Sequence, residues 1–182
     1  MEDEENGLVA MRVAAILSHG ESGRYNLVLQ EIMGGRHIVM TIGQSEAQAI
    51  AVFTEGVATP APLTQELTVR LVEALGGKVS RVIIEGLDGG RFVTNVVCKR
   101  EGGEVPVVVE SRASDAVALA IKSQAPIFAR EGLLRMLDGR LSKRVEEMNA
   151  EELRRLKDKA VEAEEYERAQ EIQDELRRRG EA

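Results

Sequence analysis

The chain of 182 residues has one cysteine, Cys98, so no internal disulfide can form. It has no tryptophan, and Tyr25, Phe53, Phe92 and Phe128 are scattered along its first three quarters, which argues against a platform for stacking bases. Only His19 and His37 accompany that cysteine, which nearly excludes a zinc site of thiolates and imidazoles or a Cys-His nucleophile. Any metal here would be held by carboxylates. Both histidines fall in or beside turn-like segments and read as surface residues. No stretch approaches the roughly 18 uncharged apolar residues of a membrane-spanning helix. The start, MEDEENG, is acidic where a signal peptide carries positive charge. A cytoplasmic protein without membrane contact is expected. The glycine pairs at 34–35, 76–77, 89–90 and 102–103 are not followed by Lys-Ser/Thr, and no GxGxxG follows a strand, so no phosphate loop is present.

Charge is unevenly spread. Residues 2–5 are four acids, and 146–182 holds thirteen acids and eight bases. Between them, 6–145 has fourteen acids and sixteen bases, a mildly basic body with room for a local phosphate-binding surface.

Three β-rich stretches open the body: LVAMRVAAIL, YNLVLQEIM and RHIVMTIG, broken by HGESGR and GGR. QSEAQAIAVFTEG has helical spacing and stops at Gly56. In the next helix Leu63, Leu67, Leu71 and Leu75 recur every four residues after Pro60 and Pro62, and Gly76-Gly77 ends the pattern. Three further strands, KVSRVIIEGL, RFVTNVVCKR and EVPVVVES, are joined by DGG and EGG hairpin turns. Alternation puts Thr94, Val96 and Cys98 on one face of the middle strand, where Cys98 reads as a small core residue. SDAVALAIKSQ is a helix with Ser114 as N-cap, PIFA a brief strand, and EGLLRMLDG a short helix closed by Gly139.

The expected fold class is therefore α+β: a compact, mainly antiparallel sheet packed with short helices over residues 8–140. An acidic, disordered start (1–7) precedes it and a helical segment (141–182) follows. That segment has no proline and is rich in helix formers. Leu153, Leu156, Ala160, Ala163, Ala169, Ile172 and Leu176 form a narrow apolar stripe that wants a partner, as one long helix or as a hairpin.

Glu110-Ser111-Arg112-Ala113-Ser114-Asp115 joins the end of an apolar strand to a helix, a place where side chains and backbone amides converge. Glu110 and Asp115 are candidate ligands of a divalent cation, Mg2+ or Mn2+. Such a cation polarises a phosphate and activates water, while Arg112 neutralises charge developing on phosphoryl oxygens. The plainer alternative makes Ser114 and Asp115 helix-capping residues and Arg112 an ion-pair partner.

These residues resemble a known family. PLTQELTVRLVEALGGKVSRVIIEGLDGGRFVTNVV followed by VVVESRASDAVALAIKSQAPIF is similar to the bacterial and plant bifunctional nuclease domain, over roughly Leu8 to Gly139. ASDAVALAIKSQAPI matches the family element DARPSDAIALALR..API most specifically. The resemblance implies a compact α+β domain that tends to oligomerise and has DNase and RNase activity. It makes Glu110, Arg112, Ser114 and Asp115 the candidate catalytic residues, and Thr64 and Gln65 candidates for substrate binding. Glu110 stands where the family has Asp, Ala113 where it has Pro, and Gln65 where it has His. An amide does not exchange a proton near neutral pH, so Gln65 cannot replace a proton-transferring histidine.

LRRLKDKAVEAEEYERAQEIQDELRRR resembles the UVR motif of excision-nuclease subunits B and C and of some Clp-protease adaptors. By that resemblance it is a hairpin turning near Glu164 to Tyr166, with Leu156, Ala160, Tyr166, Ala169 and Ile172 as partner contacts. The implied partners are nucleic acid for the body, further copies of the chain, and a UVR-containing protein or Clp ATPase for the tail. Two functions follow: a nuclease, or a non-catalytic oligomeric adaptor that recruits a repair or proteolytic partner.

Overall fold

The computed structural model describes residues 7–18, 23–103, 105–147, 149–162 and 166–180, with the side chains at 140–147, 159, 162, 166–168 and 171 outside that description. His19 and all but Gly7 of the expected disordered start fall outside it. The chain divides into two compact units, Met1–Arg135 and Met136–Ala182.

The first unit is built on seven strands: β1 (Leu8–Ser18), β2 (Arg24–Glu31), β3 (His37–Gly43), β4 (Gly77–Asp88), β5 (Arg91–Arg100), β6 (Val107–Ser111) and β7 (Ile127–Arg130). They form one sheet in the order β3-β2-β1-β7-β4-β5-β6, so the architecture is α+β as its alternating strands and helices imply. All neighbours are antiparallel except β4 and β7. Gly89 and Gly90, at φ +55° and +84°, give the two successive left-handed residues of the tight β4–β5 turn. Two bulges in β4, at Ser80 and Glu85, increase its twist.

Alternation sorts the strands cleanly. Leu27, Leu29, Ile38, Val82, Ile84 and Val96 point to one face and are buried. On that face pack α1 (Gln44–Thr54), α2 (Thr64–Ala74) and α3 (Ala113–Ser123), with α3 touching both other helices, β4 and β5. Ala116, Val117, Ala118 and Ala120 are fully buried, and these small side chains let α3 sit deep against its neighbours.

The leucine repeat lies on α2 as a helix, with Leu67, Leu71 and Leu75 49%, 55% and 73% exposed and Glu66 and Val69 buried. A four-residue repeat covers only a narrow arc of helix, and the Glu66 ion pairs with Lys122 and Arg70 turn that arc away from the core. Ser114 is not the N-cap: α3 begins at Ala113, with Arg112 in the cap position and no side-chain capping bond. The helix after β7, α4 (Glu131–Glu147), runs through Gly139, because glycine interrupts a helix only weakly unless it turns left-handed.

The second unit contains α5 (Ala150–Glu162) and α6 (Tyr166–Arg178). Asn149 and Glu152 cap α5 reciprocally, each backbone N–H bonded to the other's side chain at 3.0 Å. Leu153, Ile172 and Leu176 form a buried cluster, and Lys157 Nζ donates to Gln173 Oε1 at 3.0 Å, so the two helices run antiparallel as a hairpin rather than as one long helix. The residues of the turn, 163–165, lie outside the description. Among the described residues no helix is long and apolar enough to cross a membrane.

Candidate nucleic-acid processing cleft

Between α1, α2, α3 and the β5–β6 edge lies a cleft of about 770 Å³. Val72, Val79, Val96, Cys98, Val109 and Leu119 make its floor and walls apolar, and its polar residues gather at one end. Cys98 is half-buried at this floor rather than in the core, and burial raises its thiol pKa.

At the polar end Arg112 is the centre. Its Nε donates to Asp115 Oδ2 at 2.7 Å, one helical turn along α3, and its Nη1 lies 3.2 Å from Glu46 Oε1 in the first turn of α1. Bonding to Asp115 first, and the nearby charge of Glu46, raise the Arg112 pKa, so the guanidinium is permanently charged. Gln65 Nε2, from the first turn of α2, donates to the other Asp115 oxygen at 3.3 Å. Four side chains from α1, α2, α3 and the β6–α3 junction thus meet, with Arg112 itself 65% exposed. Thr64 also lines the cleft.

Glu46 is absent from the sequence expectation. Its signal is local: Gly43 precedes α1, and a Cβ there would fall 2.6 Å from Glu46 Oε2. That glycine therefore leaves room for the carboxylate. Nothing in the sequence pairs Glu46 with Arg112, since only the fold brings α1 and α3 together.

Glu110 is not brought to Asp115. It lies opposite Asn95 in the β5–β6 register, whereas Val109 and Ser111 alternate toward the helices. It borders the cleft but is bonded by Arg91 at 3.3 Å. Ser114 is half-buried and does not line the cleft. A divalent cation does not fit this donor set. Glu110 is paired with Arg91 and Asp115 and Glu46 with Arg112, and no group of three or more His, Cys, Asp or Glu suited to a metal occurs among the described residues.

The tail's apolar stripe is used within the hairpin. Leu153, Ala160, Ala169, Ile172 and Leu176 are buried and Leu156 is half-buried against the cluster, so Ala160, Ala169 and Ile172 are not an open docking face. Two facing amphipathic helices satisfy each other, which periodicity in a single helix does not reveal. The Tyr166 side chain lies outside the description.

Residues 27–140 match the model of the bifunctional nuclease domain and residues 147–178 that of the UvrB/uvrC motif. Uncharacterized proteins from two strains of Mycobacterium tuberculosis are each 36% identical over 124 residues, covering 68% of this chain and 73% of theirs.

Proposed function

The chain belongs to the bifunctional nuclease domain family, and from that premise we propose that it hydrolyses phosphodiester bonds of DNA or RNA at the polar end of the cleft. The observation that carries this reading is Arg112, held between Glu46 and Asp115 at the cleft mouth and mostly open to solvent. An arriving phosphodiester takes the fork of N–H donors, which neutralises charge as it develops on the phosphoryl oxygens. Exchanging one carboxylate for phosphate frees Asp115, oriented by the Gln65 amide, to accept a proton from a water whose oxygen bonds to phosphorus as the P–O bond to one nucleoside oxygen breaks, and the departing oxygen takes its proton from bulk water. Incubation of the full chain with labelled single-stranded DNA, duplex DNA and RNA, in EDTA and in magnesium or manganese, tests the reading. Cleavage that disappears in Arg112→Ala supports it; cleavage that survives in that variant removes it.

One observation favours a second, non-catalytic reading. Each carboxylate at the cleft mouth is already paired with arginine, and position 65 is an amide. In that reading the body is an oligomeric scaffold, with the open edge strand β6 (Val107, Val108 and Val109 over half exposed) as its self-association surface. The UVR-type hairpin then recruits a UVR-containing protein or a Clp ATPase.

A further inference from the structure

The apolar part of the cleft is a trough that starts at Arg112. In the register of β5 and β6, Thr94 lies opposite Ser111, the residue before Arg112. Moving away from that level, Val96 lies opposite Val109 and Cys98 opposite Val107, while Val79 of β4 flanks Cys98 on its other side. At about 3.4 Å per residue, Val96 is roughly 7 Å and Cys98 roughly 14 Å from the Ser111 level. Val72 is two turns beyond Gln65 on α2, and a Cβ on Gly77 would fall 3.3 Å from Val72 Cγ1, so Val72 stands over the start of β4. Leu119, one turn beyond Asp115 on α3, completes the lining.

Val72 and Cys98 are half-buried and Val109 is 51% exposed, so these three give the trough its open apolar surface, with Val79, Val96 and Leu119 beneath. A cavity of about 770 Å³ with apolar walls and a few polar groups at one end has the size and chemistry of a small-molecule site. The polar end selects the molecule. Arg112, mostly open to solvent, takes an anion, so the apolar body that fills the trough is joined to an anionic group. A nucleotide has that form, and proteins that take a base out of its stack hold it between apolar side chains.

We infer that the trough seats the base of the nucleotide whose phosphate Arg112 takes, with Cys98 at the far edge of that base. The inference rests on the reading that nucleic acid is cleaved in this cleft. Valine, leucine and cysteine side chains offer a base edge no strong hydrogen-bonding group, so the seat accepts a purine or a pyrimidine without reading it.

Cys98 is the only cysteine, so its thiol reports on the trough without mutation. The full chain is alkylated with iodoacetamide at pH 8.5, since burial raises the thiol pKa and only the thiolate reacts. At 20 mM, AMP and TMP should each slow labelling about tenfold, because the reagent reaches only unoccupied molecules, and ribose 5-phosphate, which lacks the base, should not. Arg112→Ala should lose the protection. Cys98→Phe, which fills the seat, should raise KM for oligonucleotide cleavage about tenfold with kcat little changed, the pattern of lost ground-state binding. If that variant does not fold, the labelling decides alone. Equal protection by ribose 5-phosphate or by octanoate overturns the inference, as does protection by only one of the two bases. So does a thiol that fails to react in the free protein, or labelling that slows with protein concentration alone, which would put a second copy in the trough. Protection by AMP and TMP without oligonucleotide cleavage keeps the seat and removes the nuclease reading; cleavage without protection does the reverse.

Discussion

Gln65 Nε2 reaches Asp115 Oδ1 at 3.3 Å across the gap between α2 and α3, which puts an amide where a proton donor would complete the site. Gln65 lines the open cleft, which gives a ring at this position space to turn toward Asp115. Gln65→His should raise cleavage at least tenfold near neutral pH, with a new dependence on a group titrating near pH 6.5, since positioned acid–base groups contribute about 10²–10⁴. Initial rates of oligonucleotide cleavage from pH 5 to 9 measure it. An unchanged rate with an intact fold means that position 65 does not touch the reacting atoms.

Arg112→Ala and Asp115→Ala should separate activity from stability. Arg112 is 65% exposed, so its pairs are screened and contribute about 0–1 kcal/mol, and loss of Asp115 from the first turn of α3 costs roughly 0.3–1 kcal/mol. Cleavage should fall below detection while denaturant midpoints move little. Unfolding of both variants would make the cluster a structural tie.

Acid should loosen the first unit through Glu131. Arg36 first, and then Arg135, bonds its carboxylate and lowers its pKa to about 2, while Arg36 also lowers that of Glu31. A depressed carboxylate stabilises the fold fully above its ordinary value near 4.5 and loses that contribution as pH falls toward about 2. Melting temperature should therefore drop between these limits, and Glu131→Gln should flatten the drop while lowering stability at pH 7. A variant as acid-sensitive as wild type would assign the loss elsewhere.

Ile172→Asp should unfold the hairpin rather than merely weaken an association. Ile172 is 2% exposed against Leu153 and Leu176, and an unpaired buried carboxylate costs several kcal/mol. Asn149→Ala, which removes one arm of the α5 capping box, should cost about 1 kcal/mol. Far-UV circular dichroism of the full chain, with heating, reads both. Retained helix content in Ile172→Asp would contradict the packing described for α5 and α6.

Much of the fold was legible because it rests on local chemistry. The DGG turn declared the β4–β5 hairpin through its two left-handed glycines, and alternation in β5 set Thr94, Val96 and Cys98 on one face. The failures came where tertiary contact overrides pattern. Four-residue leucine spacing did not reveal that Glu66, held by Lys122 from another helix, is the buried side of α2. Arg112 and Asp115 were legible as neighbours one turn apart, whereas Glu46, 66 residues earlier than Arg112, was not. Glu110 was misplaced because closeness in sequence hides that adjacent strand residues face opposite sides of the sheet.

The position of β7 also sets an order of assembly. This four-residue strand sits in the middle of the sheet, between β1 at the start of the chain and β4 in its centre. Until residues 127–130 have left the ribosome, β1–β3 and β4–β6 are two half-sheets, each with an inner edge of unpaired N–H and C=O groups. Closing them demands contacts across more than a hundred residues, so sheet completion should be slow and late. A nascent or nicked chain ending before Ile127 would expose two sticky edges at once, and aggregation rather than partial function is its expected fate.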